Sequence, residues 1–395
     1  MTLSEPSVDL VFDPFDPAFK ENPYPFYRRL REEAPAFWSE KYNMRVLTRY
    51  ADVQAAARDW RTFTSSVALD LDESSAAGFQ RMDFVAFDPP RHDAIRNMLK
   101  HPFLPRAVTS LEPLIRDRTI ALLSSIAPGE TVDIGERLAH PLPLYVIGHL
   151  LGVPEADLAY LSPRLVAWID RPSPDAMIEE SSIRAARETS EYLVSVADRR
   201  RLDPGDDLLT VVRRSDVDGE PFSDHDLGSL AFFLFVAGVD STTSLILNAL
   251  FWLDRFPEQR RLLAEDPSLM AAAVEEALRY DAPIQHMLRV ATRDIELHGT
   301  QVPAGTRVML TYGAANHDDA VFERAEEFDI GRPRRRHFAF GEGIHHCLGA
   351  DLARSEARIA LEEIFARLPN WRVVGPNVRL RKENQRGFRT LTIAT

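Results

Sequence analysis

The longest apolar stretch of the chain runs from Leu227 to Leu253 and is hydrophobic on nearly every side of a helical projection. Ser223 precedes it, with Asp226 three residues on, which is the alcohol-and-acid pattern of a helix N-terminus. Pro257 ends the pattern. At ~1.5 Å per residue we predict a helix of roughly 50 Å that crosses a whole domain and is buried on most sides.

The same stretch is long enough to span a membrane, but Asp240 and the hydroxyl residues after it interrupt its centre. A charge at the middle of a bilayer is costly, so a buried helix of a soluble protein is favoured. The N-terminus shows no basic segment followed by an apolar run, and we expect neither a signal peptide nor a membrane anchor.

Shorter patterns predict further helices and a few short strands around this helix. The predicted helices are 23–33, 50–57, 271–280 and several amphipathic ones between 107 and 220, and the predicted strands are 45–48, 294–297 and 306–310. No linker, repeat or low-complexity tract divides the sequence. We therefore predict a single domain over residues 1–395, mainly α with small β-sheets.

Two segments break these patterns. Residues 63–87 mix small polar and apolar side chains without a period, and a loop of this length is usually functional or mobile, a plain surface loop being the alternative. Pro172 and Pro174 break the helical region again.

Composition and charge argue against some classes of binding partner and indicate a cellular compartment. A formal charge of −13 argues against binding nucleic acid or an anionic membrane. The single cysteine, Cys347, excludes an internal disulfide and is consistent with a reducing cytosol, so we predict a cytoplasmic protein.

Cys347 lies between a glycine-rich loop and a predicted helix, where amide donors and the helix dipole favour a thiolate. The stretch from Phe340 to Gly349 resembles the haem-thiolate signature of cytochromes P450, Phe-Gly-x-Gly-x-His-x-Cys-x-Gly, at every fixed position. The resemblance implies that Cys347 is the axial ligand of haem b and that Phe340, Gly341, His345 and Gly349 surround the cofactor. Such a thiolate pushes electron density onto iron and favours O–O cleavage.

Two other interpretations of this cysteine are weaker. A lone cysteine is often a buried core thiol. A zinc site with His345 and His346 would need more thiolates or spaced histidines, and the sequence has no second cluster.

The polar interruption of the long helix resembles the oxygen-activating segment of cytochromes P450, Ala-Gly-x-Asp/Glu-Thr-Thr. It implies that Asp240, Ser241 and Thr242 deliver protons and that Ala237 and Gly238 contact the cofactor. Serine at 241 replaces the usual threonine, so the hydroxyl remains while the methyl that fixes its rotamer is lost. A helix kink in which Ser241 bonds back to the preceding turn is the alternative.

His92 and Arg96 lie four residues apart, so both project from one helical face and suit a single carboxylate. A solvated pair on a surface helix is the alternative. The resemblance places both at the haem propionates, together with Arg289 and His345.

Glu276 and Arg279 match the Glu-x-x-Arg of the same family, and Arg332 matches its second arginine. The resemblance implies a structural network, although most pairs at this spacing are weak surface pairs.

The resemblance also implies a substrate pocket between the 63–87 loop, the long helix, the segment after Tyr280 and the C-terminal turn. Its predicted lining is mostly apolar: Phe233, Val236, Ile284, Met287, Leu288 and Phe388. We therefore expect a small or medium hydrophobic substrate, aromatic compounds included.

Taken together, the resemblance implies a soluble, monomeric, bacterial-type monooxygenase that inserts one oxygen atom of O2 by hydroxylation or oxidative dealkylation. No flavin- or ferredoxin-like segment is visible, so electrons would come from an external ferredoxin, for which the basic run 334–336 is a candidate docking site. The alternatives are a peroxide-using haem-thiolate enzyme and a haem-binding sensor or carrier. The Asp240–Ser241 pair argues against a carrier.

Overall fold

The structure is a computed structural model that describes residues 10–66, 84–169, 180–217 and 219–395. The α-helices of these ranges are α1 Pro17–Glu21, α2 Tyr24–Glu33, α3 Tyr50–Arg58, α4 Arg91–Leu99, α5 Pro105–Leu123, α6 Pro141–Leu151, α7 Leu158–Ile169, α8 Glu180–Arg199, α9 Leu208–Arg214, α10 Asp224–Arg255, α11 Pro257–Glu265, α12 Met270–Tyr280, α13 Tyr312–Ala315 and α14 Ala350–Arg367. A π-helical turn, Gly135–Ala139, precedes α6.

The strands are short. They are β1 Ala36–Ser39, β2 Met44–Leu47, β3 Phe63–Thr64, β4 Thr131–Asp133, β5 Asp216–Val217, β6 Glu220–Pro221, β7 Met287–Ala291, β8 Ile295–Leu297, β9 Thr300–Val302, β10 Arg307–Leu310, β11 Arg372–Val373, β12 Val378–Arg379, β13 Phe388–Thr390 and β14 Thr392–Ala394. The largest sheet has the order β1-β2-β10-β7-β3, and a second has the order β11-β14-β4. Three two-stranded pairs complete the set, so the predicted class, mainly α with small β-sheets, is confirmed.

The long helix α10 begins and ends where the sequence predicts. The Ser223 side chain accepts a hydrogen bond of 3.1 Å from the backbone N–H of Asp226, and Phe256 closes the helix before Pro257. By length and composition α10 could cross a membrane, but 67% of its most apolar window is buried inside the protein. Contacts with α6, α8, α12 and α14 make it the core helix of the fold.

Strand β7 divides two apolar clusters. Leu288 lies with Tyr27, Met44 and Met309 in a cluster beneath the N-terminal helices. Met287 packs against a different cluster, formed around α3 and β10. Alternate side chains of a strand point to opposite faces, so only one face of β7 is available to a site on the side of α3.

The predicted 63–87 loop is only partly described. Phe63–Thr64 forms the edge strand β3 beside β7, and Phe84–Ala86 forms a 3-10 turn before α4. Residues 67–83, and the proline break at 172–174, lie outside the described residues.

Candidate functional site

The cysteine loop is closed by its own backbone. The N–H of Cys347 donates to the carbonyl of Phe340 at 2.8 Å, and that of Gly341 donates to Phe338 at 2.8 Å. Gly343 has a φ of 72°, and a Cβ there would lie 2.3 Å from the carbonyl oxygen of Ala57. Glycine is required at this point, where α3 approaches the loop, and the loop holds the sulfur at a fixed place before α14.

Cys347 has an exposed residue surface, although its thiol is surrounded by protein groups. Burial nevertheless raises the pKa of its thiol, while the amide of Gly349 and the charges of Arg96 and Arg354 oppose that shift. A thiolate in this position can bind a metal ion on its exposed side.

Two histidines meet beside this loop. The rings of His92, on α4, and His345 lie 4.6 Å apart. His92 Nε2 and both ring nitrogens of His345 are buried without a hydrogen-bond partner in the described part of the chain. Burial, together with the nearby charges of Arg289, His92 and Arg96, lowers the pKa of His345 to about 2. The four predicted propionate-binding residues are therefore close neighbours.

The two arginines of this group are held differently. Burial lowers the pKa of Arg96, and the negative charges of Cys347 and Asp93 oppose that shift. Arg289 is 3% exposed and donates to the carbonyl of Leu288 at 2.7 Å. It also bonds to the buried hydroxyl of Tyr312, a residue that no sequence motif marks.

This set of donors fits a haem. The thiolate of the exposed Cys347 suits its iron, and two guanidinium groups with the unpartnered ring nitrogens of His92 and His345 suit its two acidic propionate groups. Among the described residues no three His, Cys, Asp or Glu side chains are grouped so as to hold a metal ion by themselves. The chemistry of these residues therefore agrees with a cofactor that brings its own iron.

The polar centre of α10 contains a buried carboxyl group. Asp240 is 5% exposed, and its Oδ2 has no hydrogen-bond partner in the described ranges. Burial raises its pKa to about 7, although the charge of Lys382 opposes that shift. The Ser241 hydroxyl donates to the carbonyl of Ala237 at 3.0 Å, which is the bond to the preceding turn that the alternative interpretation predicts. Thr242 is buried beside them.

Ala237 and Gly238 face different surroundings. Ala237 is exposed although Phe235 and Val239 on either side of it are buried, so it borders an internal space. A Cβ at Gly238 would lie 2.8 Å from Cγ1 of Ile147 on α6. The glycine at 238 thus allows the close packing of α10 against α6, and a contact of its backbone with the cofactor stays a prediction.

The three network residues come together in the core. Arg279 donates to both carboxylate oxygens of Glu276 at 2.8 Å, and Arg332 Nε donates to Oε1 at 3.2 Å. The N–H of Asp329 donates to the same oxygen at 2.9 Å. The remaining guanidinium hydrogens of Arg279 reach backbone carbonyls, among them that of Ala325, so every charge is paired.

Part of the predicted pocket lies near the cofactor residues. Phe233 meets Phe84 edge-on at 5.7 Å, and Phe84 lies 6.0 Å from the ring of His92. Phe84, which the sequence placed only within a loop, is 4% exposed and joins Phe233 to the ring of His92. Val236, Ile284 and Met287 are partly buried on the edges of the apolar clusters.

Two of the predicted pocket residues lie among core side chains. Leu288 is 3% exposed and packs on the opposite face of β7, among Tyr27 and Met309. Phe388 is also 3% exposed, with its ring 4.8 Å from that of Phe251 and beneath the guanidinium of Arg379. Both side chains belong to the core.

Known proteins resemble this chain along its whole length. The cytochrome P450 family profile matches residues 178–369. Putative cytochrome P450 123 of Mycobacterium tuberculosis is 34% identical over 398 residues, which is 100% of this chain and 99% of that protein.

Solved structures agree. Cytochrome P450 PksS of Bacillus subtilis 168 is 30% identical with a TM-score of 0.88, over 97% of this chain and 99% of that one. CYP109E1 of Bacillus megaterium, in complex with testosterone, is 29% identical with a TM-score of 0.87, over 95% of this chain and 98% of that one. A relative of this identity over the full chain establishes that the protein belongs to the cytochrome P450 family of haem-thiolate monooxygenases.

Proposed function

We propose that this cytochrome P450 binds haem b through Cys347 and inserts one oxygen atom of O2 into a small or medium hydrophobic compound. The observation that carries the proposal is the accessible sulfur of Cys347, held in a closed loop by the hydrogen bond to Phe340. A thiolate-ligated haem supplies the oxygen-activating chemistry when it is bound.

The propionate groups of the cofactor are held by His92, Arg96, Arg289 and His345. The support is the set of buried, unpartnered ring nitrogens beside two guanidinium groups. Paired with carboxylates, these donors gain the partners that buried polar groups need.

Asp240 and Ser241 move protons toward the site. A carboxyl whose pKa is near 7 is about half protonated at neutral pH, so it can both give and take a proton. Ser241 uses its hydrogen in the bond to Ala237, and its oxygen remains free to accept one from Asp240, from water or from Thr242. The hydroxyl can then turn and pass a proton on.

The substrate is placed by Phe84, Phe233, Val236, Ile284 and Met287. These side chains are apolar, so they hold a hydrophobic compound by burying its surface, for hydroxylation or oxidative dealkylation. The structural neighbours hold testosterone in CYP109E1 and erythromycin B in a mutant of P450 EryK, so the fold takes ligands of different shapes.

Electrons come from an acidic ferredoxin that docks at Arg334, Arg335 and Arg336. These side chains are exposed, and the first two line a shallow cleft that also reaches His337. Attraction between opposite charges weakens as salt rises. Arg335→Glu should therefore slow reduction and reduce its salt dependence, whereas Arg201→Glu, an exposed arginine outside this run, should not. Equal rates for both variants would exclude this surface.

The test of the proposed function is a comparison of electron sources. With a hydrophobic substrate, O2 and a ferredoxin system, the holoprotein should form product and show a substrate-induced spin shift. Product with hydrogen peroxide alone would instead indicate a peroxide-using enzyme. Haem binding with neither spin shift nor product would indicate a sensor or carrier. We also propose that the protein is cytoplasmic and monomeric. Size-exclusion chromatography of the holoprotein tests the monomeric state.

A further inference from the structure

Glu275 and Glu276 are neighbours on α12 but serve different partners. Glu276 binds Arg279 and Arg332, as described above. Glu275 Oε1 accepts a hydrogen bond of 2.6 Å from Nε of Arg354 on α14, and its Oε2 lies 3.3 Å from Nε2 of His337. Glu275 therefore joins α12, α14 and the start of the cysteine loop.

Arg354 and His337 hold the same aromatic ring. The guanidinium carbon of Arg354 lies 4.4 Å from the ring centre of Phe340, a cation–π contact. The His337 ring lies 6.2 Å from that of Phe340, and its Nδ1 accepts from the N–H of Ala339 at 3.3 Å. Nδ1 therefore carries no proton, and Nε2 directs its hydrogen toward Glu275.

Phe340 is the residue whose carbonyl accepts the N–H of Cys347 at 2.8 Å. A continuous set of contacts therefore runs from Glu275 through Arg354 to Phe340 and then to the sulfur-bearing residue. The two charged side chains are only partly exposed, at 27% for Glu275 and 34% for Arg354.

Glu275 is charged throughout the working pH range. Burial raises its pKa, but His337 and Arg354 outweigh burial and hold the pKa at about 2. The pair therefore presents one negative and one positive charge behind Phe340, and the positive charge of Arg354 also acts on the thiol of Cys347.

We propose that Glu275 and Arg354 are positioning residues that fix Phe340 against the cysteine loop and balance the charge there, and so set the reduction potential of the haem iron. This inference rests on the proposed ligand role of Cys347. Reduction adds one negative charge at the iron. A nearby cation without its partner favours reduction, and a nearby carboxylate without its partner opposes it.

The experiment is equilibrium reduction of the holoprotein against a reference dye. Glu275→Gln leaves Arg354 with only the longer contact of 3.5 Å to the more exposed Asp351, so its reduction equilibrium should shift about threefold toward the reduced form. Arg354→Gln leaves Glu275 unbalanced and should shift it about threefold the other way. The double variant should return near the wild-type value. Opposite shifts that cancel are the signature of charge balance.

A matched control exists on the same helix. Arg358 on α14 donates to Glu112 at 2.6 Å, with side-chain exposures of 25% and 32%. This pair makes no described contact with the cysteine loop. Arg358→Gln should therefore leave the reduction potential unchanged while losing a similar ion pair.

Shifts of the same sign in both single variants, or no shift in either, would overturn the inference. If Arg354→Gln does not retain haem, Arg354→Lys keeps the charge and should keep the wild-type potential, and a changed potential in it would also contradict the proposal. A wild-type protein whose reduced CO complex lacks the thiolate band would instead refute the ligand role of Cys347, which is a separate result.

Discussion

Two buried carboxyl groups of this protein, those of Glu276 and Asp240, differ in the hydrogen-bond donors that surround them. Glu276 is 4% exposed and Asp240 is 5% exposed, so burial alone does not separate them. Glu276 accepts hydrogen bonds from Arg279, Arg332 and the N–H of Asp329. Asp240 has a carboxyl oxygen with no partner in the described ranges, and burial raises its pKa to about 7.

The difference separates a structural role from a functional one. A buried charge with all its partners fixes the positions of the side chains around it. Removing one of those partners lowers the free energy of unfolding. A buried carboxyl without partners lowers stability when it is ionised, and such groups are found where a proton must move. The network around Glu276 thus stabilises the fold, while the environment of Asp240 supports the proposed role in proton transfer on α10.

Removing Arg279 should have the largest effect. Arg279→Ala leaves Oε2 of the buried Glu276 without a described donor, because Arg332 and the N–H of Asp329 both bind Oε1, and breaking a buried pair in this way costs about 3–5 kcal/mol. We expect apoprotein or aggregate instead of a folded inactive enzyme. Urea unfolding and haem content measure this.

The matched control is Arg261→Ala, which removes a surface pair with Glu265 whose side chains are 68% and 59% exposed. Its cost should stay below about 1 kcal/mol. If Arg279→Ala yields holoprotein that melts like this control, the two carboxyl groups do not differ as described.

Asp240→Asn should act in the opposite direction on stability. The pKa of Asp240 is raised from 3.8 to about 7, so between these pH values the folded state holds more protons than the unfolded state. The free energy of unfolding therefore falls as pH rises through this window. Asparagine cannot ionise, and the variant should be about 2–4 kcal/mol more stable than wild type at pH 8.

That gain should vanish near pH 4, where wild-type Asp240 is protonated. Turnover at neutral pH should be slower, because the carboxyl that recharges the proton path is missing. Denaturant midpoints at several pH values, with steady-state turnover, measure both effects. A variant less stable than wild type at pH 8 would show that Asp240 has a stabilising partner.

Ser241 should matter least for stability and mainly for coupling. Ser241→Ala removes a hydroxyl bonded to Ala237 and should change stability by less than about 1 kcal/mol. It should keep haem and substrate binding but divert much of the NADH consumed into hydrogen peroxide. Ser241→Thr should couple as well as wild type or better. Product and peroxide formed per NADH oxidised are the measurements.

Thr243 provides the control, since its hydroxyl also donates to a backbone carbonyl, that of Ala139, at 3.0 Å. Thr243→Val should couple normally. If Ser241→Ala couples as well as wild type, Ser241 is only a helix residue, and protons travel through Thr242 or water.

Sequence reasoning worked where one local signal fixes the answer. Helix α10 is bounded by local signals, the cap at Ser223 and the proline at 257, each of which acts within one turn of the helix. The apolar run fills the residues between them. The spacing of Glu276 and Arg279 within one helix predicts their contact for the same reason. The glycines of the cysteine loop are needed for backbone angles and close approach, which are also local.

The sequence does not reveal which face an element turns to its neighbours. Leu288 follows Met287 by one residue, and the alternation of a strand sends it to the other cluster. Gly238 has a neighbour, Ile147, from a distant helix. Tyr312 and Arg354 act through partners far along the chain, which no pattern in the sequence reveals.

The central claim is that Cys347 binds the haem iron, and the absorption spectrum of the reduced, CO-bound protein tests it most directly. Wild type should show the band typical of thiolate-ligated haem, because the sulfur is held accessible by the bond from Cys347 to Phe340. Cys347→Ser, prepared in parallel, should lose that band. The same band in the serine variant would show that another residue ligates the iron and would contradict the account.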